Sequence, residues 1–415
     1  MTNLPQGWKW KSLGEICFIT DGTHKTPNYI ETGIPFLSVK NISKGFFDLS
    51  DVKYISLEEH NKLIKRAKPE FGDILICRIG TLGKAIKISL EFEFSIFVSL
   101  GLLKPKVKII SDYLVYFLNS CFIEEWINDN KVGGGTHTAK LNLNILEKCP
   151  IALPPLKEQE RIVGILDESF AKIDESIKIL EQDLLNLDEL MQSALQKAFN
   201  PLKDNAKENY KLPQGWEWKS LGEIANIKGG KRLPKGENLL DNSTKFAYIR
   251  VADFQDNGTI NLQSVKFINE NTYNILKNYK IYDDNLYISI AGTIGKSGII
   301  PKELNGAILT ENAIKLEYIQ NNIINKFMYF FTLSSSFKTQ IQISTKIVAQ
   351  PKLAITRLKQ IQIPLPPLKE QEQIASHLDE LSSHVKNLKQ NYQAQIKDLQ
   401  ELKKSLLDKA FKGNL

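Results

Sequence analysis

Apolar residues recur at intervals of three and four between residues 157 and 199, a stretch with no proline and a single glycine. In a heptad frame that begins at Val163, every a and d position is apolar, which predicts a coiled-coil helix. The residues predicted to form its seam include Leu166, Phe170, Ile173, Ile177, Leu180, Leu184 and Leu187. At ~1.5 Å per residue, the 37 residues from 163 to 199 would form a rod of roughly 55 Å.

A second apolar seam lies near the other end of the chain. Its residues recur at intervals of seven and are Leu378, Val385, Tyr392, Leu399 and Leu406. A companion row is predicted at Leu381, Leu388 and Leu402, interrupted by Gln395 and Lys409. One helix cannot bury its own seam, so we predict that the two helices pair as an antiparallel coiled coil, which would relate two globular domains by a pseudo-two-fold axis. Parallel pairing would instead place these domains side by side.

The chain contains an internal repeat that covers about half its length. LPQGWKWKSLGEI begins at Leu4 and returns as LPQGWEWKSLGEI at Leu212, with one position changed, and LPPLKEQE begins at Leu153 and returns unchanged at Leu365. This period is far longer than the ~20–50 residues of a solenoid unit. The pattern therefore indicates two copies of one module. Their matched edges do the same task twice, whereas their divergent interiors do different ones.

Each copy begins with a globular part that we predict to be α+β. Short apolar or β-branched runs near Gly, Asn or Asp predict strands at 34–39, 73–78, 246–251 and 285–290. Helical spacing predicts helices at 112–127 and 321–331. The predicted organisation is a globular domain at 1–152, a central long helix at 153–200, a linker at 201–211, a second globular domain at 212–364 and a C-terminal long helix at 365–415.

Composition excludes several classes of protein. The chain is 42% hydrophobic and 24% charged, which is typical of a globular protein. We find no apolar run of the ~20 residues that a membrane span needs, and no signal peptide. The scattered cysteines form no C-x-x-C pair, which argues against a disulfide framework or a zinc site. These features predict a cytoplasmic protein that does not contact a membrane.

The net charge of +7 is unevenly distributed. Residues 1–152 carry +3 and residues 201–364 carry +8, whereas residues 153–200 carry −5 and residues 365–415 carry +1. Basic domains favour a polyanion as partner. Two divergent basic domains on a rigid strut suit a long regular polymer such as double-stranded DNA, which advances about 34–36 Å per turn. The alternative is a coiled-coil adaptor that bridges protein partners without touching DNA.

Motifs of catalysis are missing from the sequence. We find no G-x-x-x-x-G-K-[ST] loop, no G-x-G-x-x-G turn and no H-E-x-x-H pair. The five histidines do not cluster with carboxylates at metal-ligand spacing. Nor is there an Asn- or Asp-Pro-Pro-Tyr motif of the kind that adenine-N6 methyltransferases carry. We therefore expect no catalysis, no metal site and no bound cofactor in this chain.

Two sets of residues are candidates for DNA contacts. Matched Gly-Thr-x-Gly-Lys turns end at Lys84 and Lys296. The favoured explanation for the repeated turn is that its backbone geometry needs glycine, and the alternative is that the turn binds a phosphate. The loops at 21–25 and 228–232 differ between the copies, and such loops are where specificity is expected. The candidates, each of which has a solvated surface role as its alternative, are Thr23, His24, Lys25, Lys40, Asn41, Arg78, Lys84, Lys231, Arg232, Arg250 and Lys296.

The repeated motifs resemble those of the specificity subunits of type I restriction–modification systems. The likeness rests on two copies of Pro-x-Gly-Trp followed by Leu-Gly-Glu-Ile, on two copies of Leu-Pro-Pro-Leu-x-Glu-Gln-Glu, and on the loop sequence DGTHKTP at 21–27. It implies two α/β target recognition domains, each reading half of a split DNA sequence, with the helices as a ruler between them. It further implies two methyltransferase subunits that carry S-adenosylmethionine, two restriction subunits that use ATP and Mg²⁺, and no catalysis by this chain.

Overall fold

The computed structural model describes residues 4–134, 139–199, 212–320, 322–345 and 353–413. The chain divides into unit one, which holds Met1–Leu180 and Gln393–Leu415, and unit two, which holds Glu181–Tyr392. Each unit consists of a globular head and a segment from each of two long helices. The predicted linker at 201–211 lies outside the described residues, as does residue 200.

In the described residues, three sheets form the head of unit one. Their strands are β1 (Lys9–Ser12), β2 (Cys17–Asp21), β3 (Ile34–Leu37), β4 (Lys53–Ile55), β5 (Ile74–Cys77), β6 (Ala85–Lys87), β7 (Ser95–Ile96), β8 (Leu100–Pro105) and β9 (Pro150–Leu153). An antiparallel sheet has the order β2-β8-β5-β6, and a second sheet has the order β4-β3-β7, with β3 and β7 parallel. The third is the antiparallel ribbon β1-β9.

The head of unit two repeats this plan. Its strands are β10 (Glu217–Ser220), β11 (Ala225–Gly229), β12 (Ala247–Ile249), β13 (Lys266–Phe267), β14 (Lys280–Ile281), β15 (Leu286–Ser289), β16 (Ser297–Ile299), β17 (Ala307–Leu309), β18 (Ala313–Tyr318) and β19 (Gln362–Leu365). The sheet β11-β18-β15-β16 corresponds to β2-β8-β5-β6, and the ribbon β10-β19 corresponds to β1-β9. A mixed sheet β13-β12-β17-β14 completes the head. The shared strand order agrees with the predicted repeat.

Helices cover one side of each large sheet. The helices are α1 (Leu13–Ile16), α2 (Leu57–Leu63), α3 (Ser111–Leu118), α4 (Cys121–Asn130), α5 (Leu143–Leu146), α6 (Leu156–Phe199), α7 (Leu221–Ile224), α8 (Glu270–Ile275), α9 (Asn325–Leu333), α10 (Ser335–Thr345), α11 (Ile355–Leu358) and α12 (Leu368–Phe411). In β5, Ile74 and Ile76 face the helical core, whereas Leu75 and Cys77 pack into the core on the other side. Burial on both faces explains why these strands are continuous apolar runs. The α+β prediction is confirmed.

The repeated opening motif builds the same local structure in both units. Ser12 and Glu15 form a capping box at the start of α1, with the Ser12 N–H donating to Glu15 Oε2 at 2.6 Å. Ser220 and Glu223 form the same box at α7. A Cβ at Gly14 would lie 3.2 Å from the Glu147 carbonyl oxygen, a tight contact that favours glycine there. The near identity of the motif therefore reflects matched folding.

A buried glutamine explains the repeated LPPLKEQE motif. Gln159 is 1% exposed; its Oε1 accepts from the Ile110 N–H at 3.0 Å, and its Nε2 donates to the Pro154 carbonyl at 2.9 Å. Gln371 makes the matching bonds in unit two, from the Ile324 N–H and to the Pro366 carbonyl, both at 3.0 Å. Each glutamine thus joins the start of a long helix to its own head.

Replacing Gln159 with leucine should destabilise the junction of α6 and head one by about 1–3 kcal/mol, because a buried N–H and a carbonyl lose their partners. Hydrogen exchange of the full chain should show faster exchange in α3 and the first turns of α6. The Gln371→Leu variant is the matched control and should affect only α9 and the start of α12. Equal effects of both variants on both units would contradict this local role.

The two long helices run antiparallel in each unit, as predicted. In unit one, Lys403 of α12 pairs with Asp174 of α6 at 2.6 Å. In unit two, Lys389 pairs with Asp188. Further along α12 in unit one, Phe411 lies in the same core as Ile162 and Leu166, and in unit two Leu378 lies in the same core as Leu195 and Phe199. Within each unit, residue numbers therefore fall along α6 as they rise along α12, which defines antiparallel pairing. Within α6, Leu166, Ile173 and Leu187 are buried, and Phe170, Ile177, Leu180 and Leu184 are half-buried. Within α12, Leu378 and Val385 are buried, and Tyr392, Leu399 and Leu406 are half-buried.

The companion row predicted for α12 is wrong at two of its three positions, since only Leu381 is half-buried. Leu388 is 39% exposed and Leu402 is 45% exposed, so neither belongs to the buried seam. The positions four residues after each seam residue are covered instead, at Ser382, Lys389, Ile396, Lys403 and Ala410. Lysine fits this row because its stem lies along the apolar seam while its ammonium group reaches an aspartate of α6.

The last turn of each long helix packs into a head. Phe411 of α12 lies 4.9 Å from Phe117 and 5.6 Å from Tyr113, ring centre to ring centre, in the core of unit one. Phe199 of α6 lies 5.1 Å from Phe327 and 5.6 Å from Phe331 in the core of unit two. Each unit therefore requires both helices.

No helix in the described residues is long and apolar enough to cross a membrane.

Candidate nucleic-acid interface

Matched glycines anchor the two divergent loops. Gly22 follows β2, and a Cβ there would lie 2.0 Å from the Ile96 carbonyl oxygen. Gly230 follows β11, and a Cβ there would lie 2.1 Å from the Thr310 carbonyl oxygen. Such distances exclude any side chain, so both positions require glycine. The backbone leaves each sheet in the same way, and the side chains displayed beyond it differ.

In unit one this loop lies over a buried carboxylate. Asp21 ends β2, is 1% exposed and accepts hydrogen bonds from Arg66 Nη2 and Arg78 Nη1. His24 Nε2 lies 3.1 Å from Asp21 Oδ2. The same ring nitrogen lies 3.4 Å from Arg66 Nη2. Thr23 Oγ1 donates to the Lys25 carbonyl at 3.1 Å, which closes the turn.

The pKa of Asp21 is set by two opposing effects. Burial raises it, and the hydrogen bonds and charges of Arg66 and Arg78 lower it; the net result is a pKa below the ordinary 3.8. Asp21 is therefore ionised at neutral pH. Its negative charge fixes two guanidinium groups, of which Arg78 is 8% exposed and Arg66 is exposed.

The loop of unit two is held by different contacts. The Lys231 carbonyl accepts from Tyr248 Oη at 2.8 Å, and Lys231 Nζ lies 5.9 Å from the centre of the Tyr279 ring. Arg232 is exposed, and its Nε donates to Glu311 Oε1 at 2.6 Å. Two cations therefore project from this loop where unit one has a threonine and a histidine.

The Gly-Thr-x-Gly-Lys turns are closed by their own backbone. The Gly83 N–H donates to the Cys77 carbonyl at 2.8 Å, and the Gly295 N–H donates to the Ser289 carbonyl at 2.9 Å. All four glycines of the two turns have positive φ. These bonds occupy the Gly83 and Gly295 N–H groups. Lys84 and Lys296 are half-buried, and Lys296 pairs with Asp256 at 2.8 Å.

Three candidates have structural roles that argue against base contacts. Asn41 is 4% exposed; its Oδ1 accepts from the Ser38 N–H at 2.9 Å. Arg78 is held by Asp21 and by the Leu141 carbonyl, 2.9 Å from its Nε. Arg250 is tied to Asp253 and to the Ser264 carbonyl. Asn41 and Arg78 are therefore buried away from the surface, and the guanidinium group of Arg250 is occupied by internal hydrogen bonds. Lys40 is exposed.

The structure brings Thr23, His24 and Lys25 together with residues that sequence reasoning missed. A cavity of about 380 Å³ is lined by Thr23, His24, Lys25, Lys62, Leu63 and Arg66. Sequence does contain a signal for Asp21, because this carboxylate ends an apolar strand at a position where the other copy has Gly229. Arg66 lies 45 residues further along the chain, and no local pattern points to it. Among the described residues, no group of three or more His, Cys, Asp or Glu is placed to hold a metal ion.

Comparison with known proteins agrees with the resemblance seen in the motifs. The specificity subunit of the type I restriction enzyme StySPI from Salmonella potsdam is 28% identical, over 99% of this chain and 90% of the relative. The HsdS subunit from Thermoanaerobacter tengcongensis has a TM-score of 0.61 at 21% identity, over 100% of this chain and 99% of that one. A solved chain described under "complex assembly and conformational transition of the type I R-M system" has a TM-score of 0.80 at 21% identity, over 100% of both chains.

These structural matches show that the fold is shared. Membership of a family is shown by a separate comparison of the sequence with protein-family models. The family described as the type I restriction modification DNA specificity domain matches residues 5–184 and again residues 213–398. The two matched regions correspond to the two copies of the repeat. The chain therefore belongs to the type I restriction–modification DNA specificity family.

Proposed function

We propose that each head reads one half of a bipartite, asymmetric DNA target and that the two long helices set the number of unread base pairs between the halves. One observation supports this most directly. The heads share a strand order and the glycine that anchors the loop, yet the loops display Thr-His-Lys in unit one and Lys-Arg in unit two. Matched scaffolds with different side chains suit two different sequences.

The partners proposed are two methyltransferase subunits, docked beside the helices, and two restriction subunits. The methyltransferase subunits would bind S-adenosylmethionine, and the restriction subunits would use ATP and Mg²⁺. The chain itself would bind none of these and would catalyse nothing. The family supports this assignment, as does the assembly named in the description of the solved neighbour. Adenine is stacked inside the duplex, so its methylation requires base flipping by the partner.

In DNA binding, lysines would contact phosphates and loop side chains would contact base edges. Phosphate contacts give affinity that falls with salt and does not depend on sequence. Arg and Lys favour guanine edges, whereas Asn and Gln favour adenine. On this proposal Lys231 and Arg232 serve one half-site, while Thr23, His24 and Lys25 serve the other.

Replacing Lys231 and Arg232 together with alanine should weaken recognition of one half-site only. The measurement is binding of the full chain, with its methyltransferase subunits, to a library of duplexes in which each half-site is randomised in turn. A double variant of two exposed lysines outside the loop, Lys302→Ala with Lys359→Ala, removes the same charge and is the control. Equal loss at both half-sites would refute the assignment of one head to one half.

A further inference from the structure

Arg66 has a guanidinium group that is fixed on one edge and open on the other. Its Nη2 donates to Asp21 Oδ1, and its Nε donates to the Asp21 carbonyl at 3.2 Å. Asp21 is itself held in place by Arg78, whose side chain is 9% exposed. The side chain of Arg66 is nevertheless 54% exposed, and its Nη1 has no partner within the described residues. Two N–H groups in a fixed orientation are therefore left for an acceptor from outside.

The surroundings of this open edge are cationic. Lys25, Lys62 and Arg66 line the cavity of about 380 Å³ together with His24, Thr23 and Leu63. None of the described residues that line it carries a carboxylate, although Lys62 also pairs with Glu58 at 2.7 Å on the surface of α2. Asp21 is covered, so its charge positions Arg66 without closing the cavity to an anion. A half-exposed guanidinium held by a buried carboxylate is suited to an oxyanion, to which the open Nη1 can donate a charge-assisted hydrogen bond.

We propose that Arg66 binds a backbone phosphate of the DNA half-site read by unit one, with Asp21 as its positioning residue and Lys25 and Lys62 beside it. This inference rests on the proposed function and adds to it the contact that sets how head one sits on its half-site. Phosphate contacts of this kind position a protein on DNA without reading sequence.

The arrangement in which buried Asp21 orients Arg66 is a feature of unit one. The strand equivalent to β2 is β11, and Gly229 stands where Asp21 stands, followed in both cases by the anchoring glycine. Unit two has no carboxylate at this position to hold an arginine. At the matching place in unit two, the exposed cations Lys231 and Arg232 come from the loop itself. A defect at Arg66 should therefore be confined to one half-site.

Salt-dependent binding of the full chain with its methyltransferase subunits to the target duplex tests this proposal. Arg66→Ala should weaken binding about tenfold and should reduce the slope of log affinity against log salt by about one. Base preferences at both half-sites should stay the same. Arg66→Lys retains the charge and should restore the slope.

A scan with single neutral methylphosphonate linkages locates the contact. One linkage in the half-site of unit one should weaken binding of the wild-type chain and leave Arg66→Ala unaffected. Lys65→Ala is the matched control, since Lys65 is an exposed cation next to Arg66 that does not line the cavity. Inorganic phosphate at equal ionic strength should compete no better than chloride.

Several results would overturn the proposal. They are a changed base preference in Arg66→Ala, an unchanged salt slope, the absence of any linkage that behaves as described, and competition specific to inorganic phosphate, which would indicate a small-anion site. Each of these can occur while the wild-type chain still selects a bipartite target. If the wild-type chain with its partner fails to select such a target, the proposed function fails as well.

Discussion

Replacing Arg78 with leucine should destabilise unit one by about 3 kcal/mol, near the lower end of what removing one partner of a buried ion pair costs. Asp21 is 1% exposed, and Arg78 supplies one of the two guanidinium groups that compensate its charge. Arg66 remains in the variant, but it is exposed and cannot replace the buried partner. Urea unfolding of the full chain, with hydrogen exchange resolved by strand, should show the loss in β2, β5 and β8 and not in β11, β15 and β18.

The pH dependence of this loss identifies Asp21 as its origin. Since the folded state lowers the pKa of Asp21 below 3.8, the ionised carboxylate stabilises unit one above that pH. This contribution is lost as the pH falls through the lowered pKa. The difference between wild type and Arg78→Leu should therefore be largest near neutral pH and should shrink below about pH 4.

Two variants separate the ion pair from other effects of the substitution. Lys25→Leu makes the same change of charge at an exposed position of the neighbouring loop and should leave stability unchanged. Asp21→Asn combined with Arg78→Leu leaves no buried charge and should recover much of the loss. If the double variant is no more stable than Arg78→Leu, the loss comes from missing packing contacts of Arg78 and not from the uncompensated charge of Asp21.

Long regular elements were predictable from sequence because their signal is repeated many times. The seam of α6 has an apolar residue at every predicted position, and the structure covers all of them. The second row of α12 was not predictable by hydrophobicity alone. Burial there falls on Lys389 and Lys403, whose partners Asp188 and Asp174 belong to another helix. Leucines one position earlier are exposed instead.

Helix boundaries within the heads depend on contacts distant in sequence. A single helix was predicted at 112–127, but α3 ends at Leu118 and α4 begins at Cys121. Between them, Asn119 Nδ2 donates to the Ala85 carbonyl at 2.8 Å, so its amide pairs with the edge strand β6. Local propensity does not contain this contact, which explains why the break was missed. In unit two, the helix predicted at 321–331 begins at Asn325, and residue 321 lies outside the described residues.

The candidate site shows the same division between local and distant information. The two divergent loops were found because the copies can be compared position by position. Asn41 was proposed as a base contact from its residue type. It is instead the equivalent of Asp253 in unit two, and each of the two residues caps a 3-10 turn in its own unit. Arg66 was missed because only the folded sheet brings it to Asp21. Residue type and position in the sequence indicate which loops could form the DNA-binding surface. Tertiary contacts determine which side chains are exposed on that surface.

Lengthening both long helices by one heptad should increase the preferred spacer by about three base pairs and leave both half-sites unchanged. Seven residues add roughly 10 Å of helix, and DNA advances about 3.4 Å per base pair. The insertions are placed after Leu184 in α6 and after Tyr392 in α12, outside the contacts that hold each head. Those contacts include Gln159 and Phe411 in unit one, and Gln371 and Phe199 in unit two.

The spacer is measured by selecting duplexes with two fixed half-sites and a randomised distance between them, using the full chain with the proposed methyltransferase subunits. A heptad keeps the seam in register, because the pattern repeats every seven residues. The same insertion in α6 alone is the control; it mismatches the two helices and should abolish selection of any single spacer. An unchanged spacer in the doubly lengthened chain, with both half-sites still recognised, would refute the ruler, because the heads would then set their separation without the helices.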